Sequence, residues 1–354
     1  MAFPSDYLHL PEEEVVDRIE RAKMRLGKDL IILGHHYQRD EVIRFADHRG
    51  DSLELSRAAA GARDAKYIVF CGVDFMAESA AILCNPMQAV LMPAKSARCP
   101  MAAMADVADA SNAWEYLTSI WGDDLVPITY QNSSAELKAF CGRRGGAVCT
   151  SSNAGAVFEW GLARKGHVLF FPDEHLGRNT ALSLGLSPEE IAVWDPEESL
   201  EVPTGLSQSK VVVWKGYCHV HTFFTVQQVE LARERYRDAA VIVHPECPAE
   251  VVASSDGNGS TSFIVRAVEE SPARGTFVIG TEINLVARLA KEHPGKTVVP
   301  LARSLCGAMF HINPHNLLYI LDGILENRLD NIVEVPEEIA QGAKLALDRM
   351  LEVT

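Results

Sequence analysis

The chain has no apolar run approaching the length of a membrane span, so a transmembrane helix is not expected. It has no surplus of basic residues: 33 lysines and arginines stand against 48 aspartates and glutamates, a formal charge of -15. That balance argues against general nucleic-acid binding, because phosphate contacts need a basic face. The opening MAFPSDYLHLPEEEVV lacks the charged-then-apolar pattern of a secretory leader, and a cytoplasmic location is expected. Among eight cysteines there is no CxxC pair, which argues against a zinc ribbon and against thioredoxin chemistry. Disulfides are not expected in a reducing compartment. GNGSTS is not followed by the lysine of a GKS or GKT, so it is not a P-loop.

What is present is a globular composition over 354 residues, enough for two or three domains. Short apolar runs alternate with helical patterns. LIILGHHYQ (30–38), YIVFCGVDFMAESAAIL (67–83) and AVLMPAKSARC (89–99) form one set. VPITYQNSSAELKAF, GAVCTSSNAGAVFEW, HVLFFPDEHLGRN and VVVWKGYC form a second. AVIVHPECPAEVV, GSTSFIVRAVEE, TFVIGTEINLVARLA and TVVPLARSLC form a third. This βαβ rhythm predicts an α/β fold of three similar three-layer α/β/α domains with parallel sheets. The expected boundaries are 1–108, 109–222 and 223–335, with a helix at about 336–354 packing back on the first domain.

Each third opens on a strand ending in polar residues: His35-His36-Tyr37, Tyr130-Gln131-Asn132 and His244-Pro245-Glu246. Each third closes on a cysteine: Cys99, Cys218 and Cys306. Ligands of open parallel sheets gather beyond the carboxyl ends of the strands. If the three domains face one axis, three thiols would meet at one point. The stretch WKGYCHVHTFFT (214–225) leaves a rival open. There, Cys218 and His221 could hold zinc, although no second local ligand pair is evident.

Several side chains have a structural and a chemical reading side by side. Ser52 in GDSLELS, Ser151 in CTSSNA, and Ser260 with Thr261 in GNGSTS all precede helical stretches. Each is either a helix N-cap or a donor to an anion at a helix N-terminus. Glu246 is either an exposed first-turn carboxylate or a proton-transfer group. Cys71 and Cys149 end strands and read as core.

The ordered set LGHHYQ, GDSLELS, MAESAAILCNP, YQNSSAELKA, CTSSNA, FPDEHLGRN, GYCHVH, HPEC, GSTS and CGAM resembles the quinolinate synthase family, from about residue 30 to 310. The resemblance implies three domains arranged as a pseudo-threefold triangle, with one [4Fe-4S] cluster per chain at its centre. Its ligands would be Cys99, Cys218 and Cys306, with one iron left open as a Lewis acid. It implies that iminoaspartate (iminosuccinate) and dihydroxyacetone phosphate condense to quinolinate, phosphate and water in NAD biosynthesis. The matching positions give His35, Ser52, Tyr130, Asn132, Ser151, His244, Ser260 and Thr261 as substrate contacts, with Tyr37, His221 and Glu246 as proton handlers. A functional link to L-aspartate oxidase or aspartate dehydrogenase follows, in a monomer or homodimer. The rival classes are another iron–sulfur hydro-lyase and a metal-binding redox sensor without turnover.

Overall fold

The structure, a computed structural model, describes residues 4–198 and 205–353. It is an α/β protein with three parallel sheets. The strands in chain order are β1 (Leu30–His35), β2 (His48–Gly50), β3 (Tyr67–Cys71), β4 (Ala89–Leu91), β5 (Leu125–Tyr130), β6 (Ala147–Cys149) and β7 (His167–Phe171). They continue with β8 (Ile191–Trp194), β9 (Val211–Trp214), β10 (Ala240–Val243), β11 (Gly257–Asn258), β12 (Thr276–Gly280) and β13 (Thr297–Pro300). Runs such as Leu125–Tyr130 are buried along their whole length, as strands covered by helices on both faces must be.

The chain divides into two compact units. The first joins residues 1–99 to 306–335 and carries the sheet β2-β1-β3-β4. The second joins residues 100–305 to 336–354 and carries two sheets, β6-β5-β7-β9-β8 and β11-β10-β12-β13. One strand order recurs in all three: second, first, third, then a later strand. The five-stranded sheet adds β8 outside β9. In this order the connections leaving the first and third strands diverge. A crevice therefore opens beyond the ends of β1 and β3, of β5 and β7, and of β10 and β12.

Two boundary expectations are corrected. Residues 306–335 do not stay with the third sheet. Helix Pro314–Leu325 buries Leu317, Leu318, Ile320, Leu321 and Ile324 and packs on helix Glu12–Leu26. Arg18 Nη2 pairs with Asp322 Oδ2 at 2.6 Å there, and Ile332 bridges to Leu91 at the end of β4. The last helix, Glu337–Glu352, packs on helix Ala135–Arg143 of the second third rather than on the first. Asn153 Nδ2 donates to the carbonyls of Met350 (3.1 Å) and Val353 (3.0 Å) and ties its end down.

The two helices cross at Gly142 and Gly342. A Cβ on Gly142 would lie 2.0 Å from the Gly342 carbonyl oxygen, so only glycine allows this approach. Gly142→Ala is expected to lower stability by about 1–3 kcal/mol through overpacking. Denaturant unfolding measures it, and an unchanged midpoint would refute the crossing as described.

Candidate active site

The second unit gathers most of the chemistry at the ends of β5, β7, β10 and β12. Glu246, just past β10, is almost fully buried. Its Oε1 accepts from the Tyr130 hydroxyl at 2.5 Å, and its Oε2 lies 2.6 Å from His221 Nδ1. His221 Nε2 lies 3.1 Å from Thr281 Oγ1, past β12. The His244 ring stacks on His221 with centroids 4.3 Å apart and planes 15° apart. His244 Nδ1 accepts the Glu246 backbone N–H at 3.3 Å, which puts the His244 proton on Nε2. The same turn recurs in the first unit, where His35 Nδ1 accepts the Tyr37 backbone N–H at 3.2 Å. Both turns follow the first strand of their sheet, so both histidines present Nε2–H at a strand end.

Burial pushes the Glu246 carboxyl up. The imidazoles of His221 and His244, with the hydrogen bonds from His221 and Tyr130, outweigh burial and hold it below the ordinary carboxylate range. Glu246 is therefore the anion of the array. Burial, then the Glu246 charge, keeps the Tyr130 phenol well above its ordinary value, so Tyr130 remains a donor. A Ser151 side-chain hydrogen bond also reaches Tyr130. An ionised Glu246 accepts from His221 Nδ1–H, which in the neutral ring makes Nε2 the basic atom, placed to accept from the Thr281 hydroxyl. Glu246 is not an exposed first-turn carboxylate: the following helix begins only at Ala249.

The predicted anion donors divide. Asp51, not Ser52, caps helix Ser52–Gly61 by accepting from the N–H groups of Leu53 and Glu54. Ser260 does cap helix Thr261–Glu269, accepting from Phe263 N–H at 3.2 Å. Thr261 Oγ1 and Asn132 Oδ1 are buried with no hydrogen-bond partner among the described residues. Buried polar atoms are rarely left so, and a polar ligand at these strand ends would satisfy both. Tyr37, His35 and Ser52 belong to the first unit. Two further histidines of the first unit make structural contacts: His311 Nδ1 meets Ser96 Oγ at 3.0 Å, and His315 Nε2 meets the Leu10 carbonyl at 3.2 Å. Sequence reasoning missed Thr281, and Asp173 after β7. Each lies one or two residues past a strand end, the one signal that could have found them.

None of the eight cysteines is in a disulfide. Cys71, Cys141, Cys149 and Cys247 are buried, and burial pushes their thiols up, to about 12 for Cys71. Burial favours the thiol form at all four. Cys99, Cys218 and Cys306 are only half-buried, each in a loop or turn following the last strand of a sheet. Cluster ligands are cysteine thiolates, so these three fit an iron–sulfur group by their chemistry. Cys84 is half-buried as well, but its Sγ donates to the Ala81 carbonyl at the end of a helix. One competing set exists: Cys218 Sγ, a His221 nitrogen and a Glu246 oxygen lie within 4.8 Å of one another. Both His221 nitrogens and both Glu246 oxygens are already hydrogen-bonded. Zinc bound there would dismantle the array, so the zinc alternative fits poorly.

Comparison with known proteins points the same way. A family model described as quinolinate synthetase A protein matches residues 17–352. A quinolinate synthase of Corynebacterium glutamicum is 48% identical over 355 residues, covering 99% of this chain and 90% of that protein. Quinolinate synthases of Bacillus anthracis and Bacillus subtilis are each 46% identical, over 352 and 354 residues, covering 99% of this chain and 96% of theirs.

Proposed function

Because the chain belongs to the quinolinate synthetase A family, and is an enzyme of the quinolinate synthase type acting in NAD biosynthesis, we propose that it condenses iminoaspartate with dihydroxyacetone phosphate. The products are quinolinate, phosphate and water. Cys99, Cys218 and Cys306 hold a [4Fe-4S] cluster, which when bound supplies a Lewis acid for removal of a poor leaving group. The observation that carries the reading is the buried Tyr130–Glu246–His221–Thr281 array at the ends of strands from two sheets. A redox sensor needs no such array.

The residues of the chain divide the work. Making a pyridine ring from these two pieces requires carbon–carbon bond formation, imine formation and loss of water, so several protons must move. Glu246 fixes the His221 tautomer and shares the Tyr130 proton. His221 Nε2 takes a substrate proton when substrate displaces the Thr281 hydroxyl. Tyr130 stays protonated and donates. Tyr37 is the further proton handler in the first unit. Both substrates are anionic while the chain is acidic overall, so local donors must outweigh the general field. His35 and Ser52 on the first unit, and Asn132, Ser151, His244, Ser260 and Thr261 on the second, provide them. Iminoaspartate comes from oxidation of aspartate, by an oxidase or a dehydrogenase, in the cytoplasm. No helix among the described residues is long and apolar enough to cross a membrane.

The test is anaerobically purified, iron-bearing protein mixed with the two substrates. Quinolinate formation is expected, and its absence with an intact cluster would overturn the reading.

A further inference from the structure

Asp173 lies two residues past β7, in the crevice between β5 and β7 where Tyr130 also sits. It is fully buried. Its Oδ1 caps helix Glu174–Ser183 by accepting the Leu176 N–H at 2.6 Å. Its Oδ2 is buried and has no hydrogen-bond partner among the described residues.

The internal repeat makes this unusual. Each sheet has an acid at this place, just past its third strand: Asp74, Asp173 and Glu282. Glu282 commits both oxygens to Asn284, at 2.7 Å to the backbone N–H and 3.0 Å to Nδ2. Asp74 is only half-buried, and its Oδ1 takes the N–H groups of Phe75 and Cys99. Asp173 is the one of the three that combines full burial with a bare oxygen.

The surroundings decide its protonation. The groups whose charge reaches Asp173 are Glu246 past β10 and Glu174 on its own helix; Tyr130 on β5 and Cys247 are its other titratable neighbours. The histidine pair, His221 and His244, acts on Glu246. Two buried carboxyls that feel each other do not both ionise cheaply. Glu246 has Tyr130 and His221 as donors, so the charge settles there. Burial first, then the Glu246 charge, pushes Asp173 well above the ordinary carboxylate range, against the Leu176 and His175 backbone N–H groups that hold it down. A carboxylate at this oxygen would repel an anionic ligand, whereas an O–H donates to one.

Resting on the proposed reaction, we infer that Asp173 is a further binding residue of this site, a neutral acid whose Oδ2–H donates to a carboxylate of the bound dicarboxylate. Asn132 Oδ1, the bare acceptor that follows β5 across the same crevice, takes a donor of the same ligand.

The experiment is equilibrium binding of quinolinate to the anaerobically purified full chain at neutral pH, in wild type, Asp173→Asn and Asp173→Ala. Asparagine keeps the helix cap and a donor in place of the O–H, so affinity within about threefold of wild type is expected. Alanine removes the donor, and affinity should fall by roughly tenfold. Thr225→Ala, which removes the cap of helix Val226–Arg235, controls for loss of a cap alone and should bind as wild type. Tighter binding by Asp173→Asn, by tenfold or more, would mean that a carboxylate was repelling the ligand and would overturn the inference. Wild-type affinity in Asp173→Ala would overturn it equally. Should alanine fail to fold, infrared spectroscopy decides: a protonated-carboxyl stretch should be present in wild type and absent from Asp173→Asn, and its absence from wild type sinks the idea. A wild-type chain that binds no quinolinate removes the proposed reaction first, and this inference with it.

Discussion

Glu246→Gln is expected to lower turnover by roughly 10²–10⁴-fold, the usual cost of removing a proton-transfer group, while substrate still binds. Glutamine keeps the shape of the side chain but replaces one of two acceptors with a donor. It can still accept from the Tyr130 hydroxyl or from His221 Nδ1–H, now 2.5 and 2.6 Å away, but not from both. His221 then loses the partner that fixes its tautomer, and Nε2 is no longer reliably the basic atom. Steady-state and single-turnover rates check this. Near-normal turnover would move the proton chemistry to Tyr37 and leave the array a structural feature.

Alanine in place of Cys99, Cys218 or Cys306 is expected to strip or cripple the cluster and abolish turnover. Cys84→Ala and Cys141→Ala should keep their iron. Wild type should carry about four irons per chain. Cys141→Ala has a second expected effect, because the residue lies in the core with Leu137, Phe140 and Leu169 and its loss leaves a small cavity. Iron content and the visible spectrum of each purified variant separate the two groups. A full cluster in Cys306→Ala would remove the assignment of ligands.

The βαβ rhythm was legible because buried parallel strands are continuous apolar runs, as in YIVFC and VVVW. β2 (HRG) and β11 (GN) were not, being short edge strands without an apolar signature. The unit boundaries escaped the sequence because the contacts that set them are remote along the chain: the Arg18–Asp322 pair spans 304 residues. The turns carrying His35, Tyr130, His244 and Glu246 were legible as polar clusters at strand ends. Capping was not fully legible: GDSLELS offers Asp51 and Ser52, and the reciprocal bond from Glu54 to the Asp51 N–H decides for Asp51. Asp173 passed unassigned for a related reason. DEHL after a strand reads as an ordinary helix cap, and only the bare second oxygen marks it out.

The central claim is that thiols hold the metal while His221 and Glu246 handle protons, although a ring nitrogen, a carboxylate oxygen and Cys218 Sγ lie close enough to share an ion. The most direct measurement is metal content of the anaerobically purified His221→Asn, Glu246→Gln double variant. About four irons per chain are expected, as in wild type, with turnover lost. Loss of the bound metal together with the activity, or zinc in place of iron in the wild-type chain, would contradict it.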